Sequence, residues 1–146
     1  MYKIYFKKMS SKDLLNFVMK DNNINSEIIY NKYGKPYFKD SKYFFNISNC
    51  NNYSALVLSD KEIGIDLQCI TKIDNRINKV INKVCNNEEK VLINNDLEFT
   101  VMWVKKESYV KYLGIGLEYG LENVNTLDKK YKLFKFNDYI LCIYFE

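Results

Sequence analysis

Apolar residues recur along this chain with two different periods, and each period predicts an element. Lys3 to Lys7 alternates as a first strand. Ser10 or Ser11 can cap a helix carrying Leu14, Leu15, Phe17 and Val18, which fades at Asp21-Asn22-Asn23. Ser26 to Tyr30 is strand-like, and Asn31 to Pro36 turns the chain, with Pro36 forcing extended backbone on Lys35. Tyr43 to Ser48 reads as a buried strand with a polar tip at Ser48-Asn49. Tyr53–Leu58 and Ile63–Leu67 read as a hairpin around Ser59 to Glu62. In its second strand Ile63, Ile65 and Leu67 share one face, while Gly64, Asp66 and Gln68 share the other, with Gly64 leaving that face open beside Asp66.

Helical spacing returns at Ile73, Ile77, Val80, Ile81 and Val84 and is broken by Asn86-Asn87. Glu88-Glu89 opens a short helix, where acids suit the positive end of the dipole. A longer helix follows, with Asn95 or Asp96 as its cap and Phe99, Met102, Trp103, Val110 and Leu113 as one apolar face. Gly114 supplies its left-handed stop. After a connector, Leu121 to Thr126, the strands Tyr131–Phe136 and Tyr139–Phe145 close a hairpin through Asn137-Asp138.

The chain has 146 residues, 47% of them hydrophobic, which suits one globular domain or two small lobes sharing a core. Its apolar runs are too short to cross a bilayer, and its first residues show no signal-peptide core, so the expected address is cytoplasmic. The four cysteines, Cys50, Cys69, Cys85 and Cys142, form no C-x-x-C pair. Buried reduced thiols are expected rather than zinc or a disulfide framework. The absence of histidine is more selective. It removes Ser-His-Asp and Cys-His nucleophilic schemes and imidazole-ligated metals. Acid-base work falls to carboxylates, lysine or tyrosine, and a metal would be a hard one on oxygen ligands, magnesium first. A net charge of +4, with Arg76 the only arginine, suits an acidic partner or a phosphate-bearing ligand. The lysine pairs are scattered, which is not the dense stripe of a dedicated DNA binder.

Only five glycines and one proline punctuate the chain. They gather in three segments that carry charged residues: Lys35 between Gly34 and Pro36, Asp66 after Gly64, and Glu107 with Lys111 ahead of Gly114, Gly116 and Gly120. Glu107 and Lys111 lie one helical turn apart and project from the same side. Such residues usually make an exposed ion pair worth roughly 0.2–0.5 kcal/mol. The recurrence of glycine and charge in three segments favours one shared site.

The segments Gly34-Lys35-Pro36, Phe45-Asn46-Ile47-Ser48-Asn49-Cys50, Gly64-Ile65-Asp66-Leu67-Gln68, and Trp103 through Lys111 with Gly114 and Gly116 occur in this order. In that order and rough spacing, from about Tyr30 to Leu117, the sequence resembles the 4′-phosphopantetheinyl transferase superfamily, of the Sfp/surfactin-synthetase-activating type, with a shortened first half. The resemblance implies an α+β fold of two pseudo-symmetric lobes of antiparallel sheet plus helices. A single transferase-like domain would span 1–146, with an abbreviated lobe over about 1–60 and a second over about 61–146. It implies transfer of the phosphopantetheine arm of coenzyme A to a serine of an acyl or peptidyl carrier protein, with magnesium and without nucleic acid or membrane as partner.

Carried onto this sequence, Asp66, Glu107 and Glu89 (or Glu88 in its place) would serve the metal, with Gln68 adding a carbonyl oxygen or a water contact. Glu107 would take the serine proton, and Lys111 would offset charge on the leaving phosphate. Lys35, Pro36, Ser48, Asn49 and Lys111 would contact coenzyme A. Asn49 stands where the family carries histidine, and Gln68 where it carries glutamate. Both changes loosen nucleotide or metal binding, which leaves a non-catalytic relative that binds coenzyme A or a carrier protein as the alternative. A small basic nucleic-acid-binding module, suggested by the positive charge and 13 tyrosines, is a third class.

Overall fold

The computed structural model describes residues 1–146, the side chain of Leu117 excepted. Strands and helices follow in the order β1 (Tyr2–Lys7), α1 (Ser11–Asp21), β2 (Ile28–Tyr30), β3 (Pro36–Phe38), β4 (Phe44–Cys50), β5 (Tyr53–Ser59), β6 (Gly64–Cys69), α2 (Asn75–Val84), α3 (Asn87–Val91), α4 (Asp96–Leu113), β7 (Lys132–Phe136) and β8 (Tyr139–Tyr144). The helices begin where a short polar side chain accepts the N–H of the third residue beyond it: Ser10, Asp74, Asn86 and Asn95. Gly114, with φ at 66°, ends α4.

All strand pairs are antiparallel, in sheets ordered β1-β5-β4 and β6-β8-β7 with a separate β2-β3 hairpin, so the fold is α+β. The expected hairpin between Tyr53–Leu58 and Ile63–Leu67 does not form. β5 pairs with β1 and β4, whereas β6 pairs with β8 in the other sheet. The tight reversal is Asn51-Asn52 between β4 and β5, with Asn51 at φ 54°. Asparagine tolerates the left-handed region that such a turn demands. Ser59 to Glu62 instead carries the chain across from one sheet to the other. β3 is a further departure, a short strand that starts at the last residue of the expected turn and runs into residues given no element.

The layers follow from the alternation. Ala55 and Val57 of β5 meet Ile63, Ile65, Leu67, Leu141 and Ile143 between the two sheets. Leu56 and Leu58 on the opposite face pack with Phe45, with Phe38 of the small hairpin, and with Leu14 and Val18 of α1. β5 is thus buried on both sides. The outer face of the second sheet, with Ile140 and Cys142, is covered by Val104 of α4. Phe99 and Met102, elsewhere on α4, pack with Ile77 and Ile81 of α2. That helix therefore buries two sides rather than the single apolar face its sequence suggests.

β4 and β6 meet along a seam without a backbone ladder. Every second side chain of β4 accepts a main-chain N–H of β6 instead: Asn46 Oδ1 from Ile65 at 2.8 Å, Ser48 Oγ from Leu67 at 3.1 Å, and Cys50 Sγ from Cys69 at 3.4 Å. These bonds explain polar residues in a buried strand, because an unpaired buried N–H costs ~1–3 kcal/mol. Across β6, a Cβ on Gly64 would lie 2.1 Å from the carbonyl oxygen of Ser108 and 2.3 Å from the nitrogen of Tyr112. Gly64 therefore does not open a face beside Asp66. It lets α4 press its backbone onto the strand.

Candidate active site

Glu107 and Lys111, one turn apart on α4, face a cleft of about 300 Å³. Its other walls include Lys35, Pro36, Asn46 and Gly116. The cleft exists because two sequence-distant pieces are tied together. Asn31 accepts the N–H groups of Tyr33 and Lys35, each at 2.9 Å, and donates to the Gly114 carbonyl at 2.7 Å. The turn before β3 is thereby fastened to the end of α4.

Lys111 reaches β6 and β4 rather than Glu107. Its Nζ donates to Asp66 Oδ1 at 2.8 Å and to Ser48 Oγ at 3.0 Å. Ser48 in turn donates to Asp66 Oδ1 at 3.1 Å. Asp66 is only 3% exposed, and its second oxygen, Oδ2, is buried without a hydrogen-bond partner. Burial raises the pKa of Glu107, the negative charge of Asp66 raises it further, and Lys111 opposes both. The structure thus brings Asp66, Glu107, Lys111 and Ser48 together, with two carboxylates against one ammonium.

An orphaned carboxylate oxygen beside a second carboxylate is a donor set that fits a hard divalent cation. Magnesium is commonly held by one or two carboxylates plus substrate phosphates. Asp66 and Glu107 are the two carboxylates that neighbour each other here, and among the described residues no group of three Asp, Glu, His or Cys side chains gathers for a metal.

The remaining candidates lie elsewhere or are differently employed. Lys35 is buried, and its Nζ donates to Glu62 at 2.5 Å and to the carbonyls of Tyr112 at 3.2 Å and Ile63 at 3.3 Å. Burial lowers its pKa, and the bond it donates to Glu62 opposes that. Lys35 therefore lines the cleft while its ammonium is turned inward, away from the position expected of a phosphate grip. Its stem follows the turn that Asn31 holds, and Glu62 supplies the counter-charge that the sequence did not single out. Asn49 is exposed and donates to Ser11 at 2.9 Å, beside a polar hollow that both residues line together with Lys8 and Ser10. Gln68 Oε1 takes a long contact of 3.9 Å from the Cys50 thiol.

Glu89 is the clearest departure. It is fully buried and its carboxylate is spoken for: Lys106 Nζ at 2.9 Å and the Asn86 N–H at 3.0 Å on one oxygen, and the Thr126 N–H at 3.0 Å and hydroxyl at 2.6 Å on the other. Lys106, also fully buried, donates further to the carbonyls of Leu121 and Val124. Burial alone would raise the Glu89 pKa, but the bonds from Thr126 and Lys106 outweigh it and hold the group below the usual range. This is an internal clamp between α3, α4 and the 121–126 connector, and the geometry gives Glu89 no free oxygen for a metal. The alternative acid, Glu88, is exposed. Lys106 and Asn46 were not singled out from the sequence. The available signals were a lysine amid the apolar positions of α4 and an asparagine two residues before Ser48 in a buried strand.

Comparison with known proteins agrees with the motifs. The model of the 4′-phosphopantetheinyl transferase superfamily matches residues 62–141, a stretch that contains Asp66, Glu107 and Lys111. An L-aminoadipate-semialdehyde dehydrogenase-phosphopantetheinyl transferase of Candida glabrata is 34% identical over 107 residues, covering 65% of this chain and 42% of that protein. A 4′-phosphopantetheinyl transferase, gsp, of Aneurinibacillus migulanus is 33% identical over 98 residues, covering 64% of this chain and 41% of its own. The matched stretch therefore spans well under half the length of either relative. With more than half of its residues inside the family match, with motif residues of β4 and α4 lining one cleft and with Asp66 of β6 bonded to Lys111, the chain belongs to the 4′-phosphopantetheinyl transferase superfamily.

Proposed function

We propose that this protein transfers the 4′-phosphopantetheine arm of coenzyme A to a serine of an acyl or peptidyl carrier protein, in the cytoplasm and with magnesium. The observation that carries this reading is Asp66: buried, bonded to Lys111 through one oxygen, orphaned at the other, and close enough to raise the proton affinity of Glu107. Magnesium, held by Asp66 and Glu107, would supply charge neutralisation to the pyrophosphate. In the transfer, the serine oxygen bonds to the phosphorus on the pantetheine side, the bridging P–O bond breaks, and 3′,5′-ADP leaves. Glu107 accepts the serine proton, for which its raised pKa suits it. Lys111, held in place by Ser48 and Asp66, offsets charge on the departing phosphate. Pro36 and the buried stem of Lys35 shape the wall on which coenzyme A rests. Asn49, which lines a separate polar hollow, and Gln68 lie outside this wall. The same reading takes 1–60 and 61–146 as two related lobes of one domain, supported by a three-stranded antiparallel sheet in each half. Among the described residues no helix is long and apolar enough to cross a membrane.

Incubation with coenzyme A, magnesium and an apo carrier protein tests the proposal, with a mass gain of one phosphopantetheine on the carrier as the expected result. The uncharged Asn49 and Gln68 favour one other reading, a relative that binds coenzyme A without turnover. Calorimetric binding of coenzyme A with no mass gain on several carriers would select it.

A further inference from the structure

Two thiols sit at the end of the β4–β6 seam, outside the cleft. Cys50 Sγ is the last acceptor of the side-chain ladder, 3.4 Å from the Cys69 nitrogen. That nitrogen is one bond of ~1.46 Å from the Cys69 Cα, so the Cys50 sulfur lies within about 5 Å of it. The Cys69 side chain leaves from that Cα, so its thiol and the Cys50 thiol are neighbours at the end of the seam. Both residues are partly exposed, whereas Cys85 and Cys142 are buried. Burial pushes the Cys50 thiol above its ordinary range, and the neighbouring Cys69 thiol adds to the rise.

From this placement we propose that Cys50 and Cys69 form an oxidative modification site, closing reversibly into a disulfide that staples β4 to β6. The oxidant class is a low-molecular-weight disulfide. The thiolate of the more exposed cysteine attacks one of its sulfurs, expels one small thiol and leaves a mixed disulfide. The second cysteine, as thiolate, attacks the protein sulfur of that intermediate and expels the second small thiol. The two cysteines lose two electrons and two protons, and the small disulfide takes them up as two thiols. The Cys69 N–H exchanges its sulfur acceptor for water, which reaches this end of the seam because both residues are partly exposed. Reversible pairs of this kind are the form that protein disulfides usually take in a reducing compartment.

The test uses the whole protein with oxidised glutathione, followed by non-reducing peptide mapping and thermal unfolding. The expected result is a loss of about 2 Da, a single cross-linked peptide pair joining Cys50 to Cys69, and a rise in Tm of roughly 10 °C that reduction reverses. Cys50→Ser keeps an oxygen acceptor for the Cys69 N–H, as Ser48 does for Leu67, and should fold but stop at a stable glutathione adduct on Cys69. Stable glutathione adducts on the native protein, a cross-link involving Cys85 or Cys142, or no reaction would each overturn the assignment. None of these readouts depends on transferase activity.

Discussion

Replacing Lys106 by methionine removes the ammonium that joins α4 to Glu89 and to the connector. Both partners are fully buried, so the Glu89 carboxylate would keep its bonds from Thr126 and Asn86 but lose its counter-charge. The carbonyls of Leu121 and Val124 would lose a donor as well. Breaking a buried ion pair from one side costs ~3–5 kcal/mol. In a chain of 146 residues that is a fall in Tm of roughly 10–15 °C, measured by thermal and urea unfolding. The sign with pH follows from the Glu89 shift. Its folded pKa lies below its ordinary 4.5, so its contribution is complete above that value and is lost as pH falls through the folded pKa. Acid should therefore narrow the gap between Lys106→Met and the native chain, as protonation of Glu89 cancels its stranded charge. The double variant Glu89→Met, Lys106→Met should recover part of the single-variant loss. A Lys106→Met protein whose Tm stayed within about 2 °C of native would refute the reasoning. So would a Glu89→Gln protein of native Tm that had lost its response to magnesium, since Glu89 would then be a metal ligand.

Four further outcomes are expected. Glu107→Gln should abolish transfer, and because the raised pKa of Glu107 lowers stability above its folded value, the variant should unfold at a higher temperature than native at pH 7 but not at pH 3. Magnesium should raise the Tm of the native protein and leave Glu107→Gln unchanged, whereas equal shifts in both would place the cation elsewhere. Gly64→Ala drives a methyl into the α4 backbone and should cost ~3 kcal/mol or more, read as insoluble or early-melting protein; native stability would mean that α4 can stand off from β6. Lys35→Met should raise the KM for coenzyme A by loosening the turn on α4, while Lys35→Arg, unable to fit the buried space, should not rescue it; a changed kcat with native KM would instead favour contact with the reacting phosphate.

The order of elements was largely legible, because alternation and helical spacing are local properties. Helix starts at Ser10 and Asn95 and the Gly114 stop needed only short-range capping chemistry. Pairing was less legible. β5 and β6 adjoin in sequence, yet β6 pairs with β8, near the other end of the chain, and nothing local distinguishes the two choices. The candidate site divides along the same line. That Asp66, Glu107 and Lys111 come together was recognisable from motif order, but the direction of a long side chain is set by remote partners. Lys35 turns toward Glu62 and the end of α4, and Glu89 toward Lys106 and Thr126, through contacts that no spacing rule encodes.

The seam between β4 and β6 has a consequence for how the molecule holds together. Every main-chain sheet bond lies within Tyr2–Ser59 or within Gly64–Tyr144, and the halves adhere through side-chain bonds, among them those of Asn46, Ser48 and Cys50 to β6 and of Asn31 and Lys35 to the end of α4, and through a shared oily interior. Sliding one sheet along the other would break no amide ladder, yet it would uncouple Ser48 from Asp66 and so dismantle the charged corner of the cleft. Alignment of that corner is thus entrusted to a junction without a backbone ladder, and small residue changes there reach it directly.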